Sequence, residues 1–203
     1  MVPGRNTKNA AWIKIYDCND KNLEKNEVIG MGLTNFKLSI ELVPSTVWYS
    51  SVYQFYNKTN QSDKWKRIKA ELFKKEGRQC WICGKVGGLE AHEFWEYDDR
   101  NYMQKLSAIH HLCDLCHKIK HIGFWCHTED GKEKLKVTRL SKRDLINHFC
   151  MVNNCSQKDF EIHETDAFDV WKKRSAYDWK QDFGNYDIKD AGGQSSLNSF
   201  KGN

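Results

Sequence analysis

Hydrophobic and polar residues alternate at every position over residues 36–42, a period of two that predicts a half-buried β-strand. Pro44 ends this segment, because proline has no N–H to contribute to a strand ladder. Residues 12–16 also have the composition of a strand. We therefore expect a strand-rich N-terminal extension over residues 1–44, which starts as a loose leader at residues 1–10.

Two following segments have apolar residues at helical spacing instead. A short helix is predicted after Ser45, since Trp48, Val52 and Phe55 recur at intervals of three or four. A longer helix is predicted over 63–76. Ser62 would cap its start and Gly77 would end it, and its apolar face consists of Trp65, Ile68, Leu72 and Phe73.

The C-terminal third also has a helical pattern. Ser141 and Asp144 form a capping-box pattern that opens a helix with Leu145, Ile146 and Phe149 on one side. A further helix that ends near Gly184 is predicted from Phe168, Trp171 and Trp179. These elements form a predicted C-terminal helical extension over residues 128–190, and the small, polar residues 191–203 are predicted to be a disordered tail.

Composition narrows the class of protein. The chain has 203 residues, of which 39% are hydrophobic and 13% aromatic, so it can bury a core and is not a disordered chain. No apolar run approaches the roughly 20 residues of a membrane span, and the first residues lack the apolar stretch of a secretory signal. We expect a cytoplasmic protein with no membrane partner.

Positive charge is concentrated in one segment. The net charge is only +5, but residues 58–78 contain eight basic and three acidic side chains. The basic face of the predicted helix 63–76 has two interpretations: a solvated surface, or a surface that contacts nucleic-acid phosphates. Under the second interpretation, Lys66 and Lys74 are candidate nucleic-acid contacts.

Four of the eight cysteines form two C-x-x-C pairs, Cys80 with Cys83 and Cys113 with Cys116. In a chain without an export signal this spacing indicates metal binding rather than disulfides. Four thiolates complete a tetrahedral zinc site, which has no open position and serves the fold. The alternatives are redox-active pairs or cysteines that are merely buried.

Three histidines lie close to these pairs in sequence. His92 stands in the strand-like segment 89–95, and His117 and His121 would lie one turn apart on a helix over 114–122. Three imidazoles can bind one cation and leave a position open, as a catalytic site requires. A structural role is the alternative. His110 and His111 are more consistent with packing or hydrogen bonding.

The residues around these histidines resemble the HNH (ββα-metal) endonucleases. The likeness rests on L-E-x-H-E-x-W-E-Y at residues 89–97 and on C-x-x-C-H-x-x-K-H at residues 113–121, and it extends over residues 43–123. It implies an α+β fold with a ββα-metal core and a four-cysteine zinc knuckle over residues 45–127, between the N-terminal extension and the C-terminal helices.

The resemblance also implies roles for individual residues. His117, His121 and His92 would bind a catalytic divalent cation such as Mg²⁺, Mn²⁺ or Ni²⁺, and Glu93 occupies the position of the general base. The family base is usually histidine, so a register shifted by one residue would make His92 the base and a nearby glutamate the ligand. The asparagine that usually orients the base has no clear counterpart. Two further lysines that could hold the nucleic-acid backbone flank the helical histidines: Lys118 and Lys120.

The resulting hypothesis is a metal-dependent endonuclease that hydrolyses DNA phosphodiester bonds, with a homodimer as one arrangement and no small-molecule cofactor. The alternative is a catalytically inactive, zinc-stabilised nucleic-acid-binding module, because the usual base and asparagine are altered. A zinc-containing adaptor that binds protein is a third hypothesis.

Overall fold

The computed structural model describes residues 36–186, which form a mixed α+β fold. The α+β class predicted from the sequence is confirmed in this coarse form. The described residues contain three strands and seven α-helices: β1 Leu89–Asp98, β2 Met103–Cys113, β3 Lys180–Asp182, α1 Val52–Lys58, α2 Ser62–Glu76, α3 Asp114–Lys120, α4 Ile122–His127, α5 Glu129–Val137, α6 Lys142–Asn153 and α7 Gln157–Ser175. Short 3₁₀ turns occupy Ser45–Val47 and Gly184–Tyr186.

The sheet positions the elements that follow it. Strands β1 and β2 form an antiparallel hairpin whose register pairs Leu89 with Cys113 and His92 with His110, and β3 adds parallel to the start of β2. Because the strand order is β1-β2-β3, β1 is an edge strand of the sheet that the described residues form. Helix α3 begins at the residue directly after β2, so the hairpin and the helix form one continuous unit.

The strand predicted over residues 36–42 is wrong, although its alternating burial is real. Leu38 and Ile40 are buried, but the segment pairs with no strand. Side chains of the C-terminal helices take the place of a neighbouring strand. The Asn153 side chain accepts from the Leu38 N–H at 2.9 Å and donates to the Leu38 carbonyl at 2.8 Å, while the Ile40 N–H donates to His163 Nε2 at 2.9 Å.

The helix predicted over 63–76 is confirmed. It spans Ser62–Glu76, buries Trp65 and Leu72, and ends at Gly77, whose φ of 75° suits glycine. Its N-cap is Gln61, one residue before the predicted Ser62. The short helix predicted after Ser45 is divided into the 3₁₀ turn Ser45–Val47 and α1, which has its own N-cap serine.

In the C-terminal third, the predicted capping box at Ser141 is confirmed, and it opens α6. Helix α7 includes Phe168 and Trp171 but ends at Ser175, so the prediction that Trp179 belongs to it is wrong. The Trp179 indole instead donates to the Arg174 carbonyl at 2.7 Å, which closes a turn that leads into β3. Helices α4 and α5 were not predicted.

One apolar core joins segments that are far apart in sequence. It contains Leu38 from the N-terminal segment, Leu112 and Ile119 from the hairpin–helix unit, and Phe149 and Phe160 from the last two helices. A second cluster packs α1 and α2 against the other side of the hairpin. The predicted leader, the strand at 12–16 and the tail at 191–203 lie outside the described residues, among which no helix is long and apolar enough to cross a membrane.

Candidate metal centre

The four paired cysteines converge, as predicted, on one point. Cys80 and Cys83 lie in a tight turn in which the Gly84 N–H donates to the Cys80 carbonyl, and Gly84 has the positive φ that this reversal needs. Cys113 ends β2 and Cys116 lies in the first turn of α3. All four Sγ atoms lie within 4.8 Å of one another, so the cluster could hold a metal such as zinc.

The sulfur geometry fits a tetrahedral ion. Two Zn–S bonds of about 2.3 Å at the tetrahedral angle separate their sulfurs by about 3.8 Å, and Cys83 Sγ and Cys113 Sγ are 3.6 Å apart. The four cysteines are free thiols rather than disulfides. Hydrogen bonds from the other thiols hold the pKa of Cys80 far below its usual value, and the same interactions raise that of Cys116. A cation is therefore needed to hold four thiolates together.

A histidine from another element supports this cluster. His148 of α6 is buried, and its Nε2 lies 3.2 Å from Cys116 Sγ. An imidazole N–H that points at a metal-bound sulfur orients the ligand and offsets its charge. No local sequence pattern points to His148, because 32 residues separate it from Cys116.

The three predicted histidines also converge. His92 projects from β1, His117 from α3, and His121 is the residue at which α3 ends. Each has a ring nitrogen within 4.8 Å of those of the other two, and the ring centroids are 4.7–5.3 Å apart. The expected spacing of one helical turn between His117 and His121 is confirmed, and the three side chains could hold a metal ion.

These imidazoles are in the form that binds metals. Burial, together with the other histidines and Lys120, holds the pKa of His92 well below its usual value and that of His121 at about 3. Burial also lowers the pKa of His117, although Glu90 opposes this shift. All three rings are therefore neutral at pH 7, and a cation would not have to displace protons from them.

A carboxylate lies beside one of these rings, that of Glu90 beside His117. Glu90 lies two residues before His92 on the same face of β1, and its Oε2 is 3.2 Å from His117 Nδ1. A carboxylate that accepts from Nδ1–H leaves Nε2 free for a metal. Glu90 is not among the site residues predicted from the sequence, although the period of two along β1 places it on the same face as His92.

Glu93 lies on the opposite face of β1 and is not part of the histidine cluster. Its Oε1 accepts from the Val52 N–H at the start of α1, at 2.7 Å. Burial raises the pKa of its carboxyl to about 7, against the opposing effect of hydrogen bonds from the α1 backbone. Because β1 is an edge strand, Glu93 and His92 still line the same cleft from its two faces.

This cleft has a volume of about 1120 Å³ and runs along β1. Its lining includes the three clustered histidines, as well as His127, which does not belong to the cluster. Eight aromatic side chains also line it: Trp48, Tyr49, Tyr53, Trp65, Trp95, Phe124, Phe168 and Trp171. The histidines are thus open to a ligand on one side, whereas the cysteine cluster is embedded in the core.

The prediction that Lys118 and Lys120 contact the nucleic-acid backbone is wrong, because both are buried and paired. The Lys118 ammonium pairs with Asp114 and lies 4.4 Å from the Trp125 ring centroid. The Lys120 ammonium is 3.2 Å from Glu41 Oε2 and lies over Phe94. Their side chains are only 4% and 5% exposed, so neither ammonium can reach a phosphate.

The other two predicted lysines are on the surface. Lys66 and Lys74 are exposed on α2, and Lys66 forms an ion pair with Asp63 at 2.8 Å.

The packing roles expected for the two histidines of β2 are confirmed. His110 Nδ1 lies 2.7 Å from Glu76 Oε1, and the fully buried His111 ring stacks on Phe73.

Comparisons of the chain with protein family models, with curated proteins and with solved structures found no match. The function therefore has to be argued from the site itself.

Proposed function

We propose that this protein is a metal-dependent endonuclease of the HNH (ββα-metal) type that hydrolyses phosphodiester bonds in DNA. The observation that carries the proposal is the convergence of His92, His117 and His121 at an open cleft, on a hairpin–helix unit that also carries a four-cysteine cluster. A protein that only binds nucleic acid has no need of three neutral imidazoles aimed at one point.

In this proposal the three histidines hold one divalent cation, and Glu90 keeps His117 in the tautomer that presents Nε2. A cation at this point would neutralise charge on the scissile phosphate and on the leaving oxygen. The four cysteines would hold a structural zinc ion that locks the start of α3, and therefore His117, against the hairpin.

Glu93 is the proposed general base. A carboxyl with a pKa of about 7 is partly ionised at neutral pH, which suits a group that takes a proton from water. The Val52 N–H holds the carboxylate at the cleft. The alternative register keeps His92 as the base, and in that case a glutamate would replace it as a ligand.

One basic residue of α2 lines the same cleft. Lys69 lines the cleft, and Lys66, Arg67 and Lys74 are exposed on the same helix. These side chains are suited to contact phosphates beyond the scissile one. A homodimer would bring two such sites together.

The test is cleavage of supercoiled plasmid and of single-stranded circular DNA by the zinc-loaded protein, with added Mg²⁺, Mn²⁺ or Ni²⁺. We expect nicking or linearisation that requires the added cation and falls at least about 1,000-fold in His117→Ala, because the cation loses a ligand. His127→Ala is the matched control, since His127 lines the same cleft outside the cluster.

Retardation of DNA on a gel without cleavage under any of the three cations would favour the second candidate, an inactive nucleic-acid-binding module. The partly buried hydrogen bond of Glu93 to α1 is the observation that favours this candidate, because it gives Glu93 a structural role. Absence of both cleavage and retardation would contradict both candidates.

A further inference from the structure

One wall of the cleft exposes aromatic rings to solvent. Trp48, Tyr49 and Tyr53 are 43%, 78% and 49% exposed, and all three line the cleft that contains the histidine cluster. Exposed aromatic side chains grouped on one surface leave much of their area in contact with water, and such groups mark sites of interaction. The core does not explain why these three residues are aromatic.

The rings are arranged as a platform. Trp48 and Tyr49 lie with their centroids 6.3 Å apart and their planes only 18° from parallel. Tyr53 is the second residue of α1 and contacts Trp65, with ring centroids 5.8 Å apart. The solvent-exposed faces of such rings are surfaces on which other flat rings can stack.

The charges of the cleft restrict what can occupy it. Among the described residues that line it, Lys69 is the only lysine and arginine is absent, whereas four residues carry carboxylates: Glu41, Glu90, Glu93 and Asp130. A DNA duplex carries one negative charge per about 1.7 Å of its axis and binds mainly through basic side chains. This cleft therefore lacks the positive charge that a duplex needs.

We propose that the cleft binds an unpaired nucleic-acid strand, with bases stacked on Trp48, Tyr49 and Tyr53 and a phosphate presented at the histidine cluster. The bases of a duplex are stacked on one another and cannot cover these rings, whereas the bases of a single strand can. Each base stacked on an aromatic side chain contributes about 1–3 kcal/mol, and the strand carries half the charge density of a duplex. The proposal rests on the proposed nuclease function, whose substrate class it narrows.

The experiment measures binding by fluorescence anisotropy, using a labelled 12-nucleotide strand and a hairpin duplex of the same sequence. The protein is zinc-loaded and no further cation is added. We expect the single strand to bind at least about tenfold more tightly than the duplex, and Trp48→Ala/Tyr49→Ala to lose at least about tenfold of that affinity, which corresponds to one stacked base. The salt dependence of single-strand binding should be shallow, because few phosphates are neutralised.

Two variants control for indirect effects. Trp81→Ala removes another exposed tryptophan, which lies outside the cleft lining and stacks on His110, and it should bind like the wild type. Trp48→Phe/Tyr49→Phe retains flat rings and should retain most of the affinity. Both substituted residues precede α1 and are exposed, and a thermal unfolding curve checks that each variant folds.

The possible results of the binding experiment either support or overturn the assignment of the cleft to an unpaired strand. Tighter binding of the duplex, equal loss in the Trp81 control, or no effect of the double substitution would overturn the inference, and the cleavage assay would still decide the nuclease proposal separately. Aromatic-dependent binding of the single strand without any cleavage would support the cleft assignment while contradicting catalysis. No binding of either DNA would overturn the inference.

Discussion

The two candidate metal sites are built from adjacent residues and differ in nearly every physical property. Cys116 and His117 are neighbours on α3, yet Cys116 belongs to a sulfur cluster inside the core and His117 to an imidazole cluster at an open cleft. A closed set of four thiolates leaves an ion no vacant position, whereas three imidazoles leave at least one. Adjacent positions on one helix therefore belong to a site suited to hold the fold and to a site suited to bind a ligand.

The two sites also differ in what a metal has to displace. The thiols cannot all ionise in the absence of a cation, because hydrogen bonds with Cys113 and Cys80, together with burial, raise the pKa of Cys116. Loading the sulfur cluster therefore releases protons and becomes weaker in acid. The histidines are already neutral at pH 7, so the loading of their cluster depends on ligand geometry rather than on deprotonation.

The largest effect is expected from a substitution that removes one ligand of the cysteine cluster. In Cys113→Ala we expect the loss of stoichiometric zinc and of the cooperative thermal unfolding transition, because structural zinc contributes about 10–16 kcal/mol of apparent binding free energy in small zinc-dependent units. His117→Ala should retain both the zinc and the transition. Zinc is measured by atomic absorption and unfolding by circular dichroism.

Cys126→Ala is the matched control for this experiment, since Cys126 is a half-buried free thiol that does not belong to the cluster. The same loss of zinc and of folding in Cys113→Ala and His117→Ala would contradict the division of the metal ligands into two sites.

A buried histidine outside both clusters should make the free energy of unfolding depend on pH without involving either metal site. His163 accepts from the Ile40 N–H, and burial together with Lys120 lowers its pKa to about 4 from the usual 6.5. Between these two values the unfolded chain binds more protons than the folded chain. The free energy of unfolding should therefore decrease as the pH falls from about 6.5 to about 4, by about 3 kcal/mol from this residue alone.

The measurement is urea unfolding of the wild type and of His163→Gln at a series of pH values. The difference between the two proteins isolates the contribution of His163 to the free energy of unfolding. Glutamine can still accept from the Ile40 N–H but does not titrate, so the variant should lose less stability in acid than the wild type. Parallel stability curves for the two proteins would show that His163 does not carry the pH dependence.

What could be predicted from the sequence depends on how local the determining contacts are. The C-x-x-C pairs, the i, i+4 histidines of α3 and the capping box at Ser141 are set by neighbours in sequence, and the structure confirms their geometry. The segment over residues 36–42 has the pattern of a strand, but the side chain of Asn153, 115 residues away, satisfies its backbone. The burial of Lys118 and Lys120 likewise depends on how α3 packs, which residue type and spacing do not reveal.

The smallest of these effects concerns Glu90, which differs from the ligands in acting on the metal only through His117. We expect Glu90→Ala to weaken Co²⁺ binding at the histidine cluster by about 10–100-fold, and Glu90→Gln by about tenfold, because a weaker acceptor at Nδ1 orients the ring less firmly and makes Nε2 less basic. Thermal stability should change little, since this side chain is more than half exposed. The measurement is a titration of the zinc-loaded protein with Co²⁺, followed by visible absorption.

Glu96→Gln is the matched control, because Glu96 is an exposed glutamate on the same strand, outside the lining of the cleft. Starting from zinc-loaded protein keeps Co²⁺ out of the sulfur cluster, where it would be recognised by intense sulfur-to-metal charge-transfer absorption. Equal Co²⁺ affinities in Glu90→Ala and Glu96→Gln would show that the contact with His117 Nδ1 does not orient this ligand. In that case the strand and helix that carry the three histidines would be sufficient to position them.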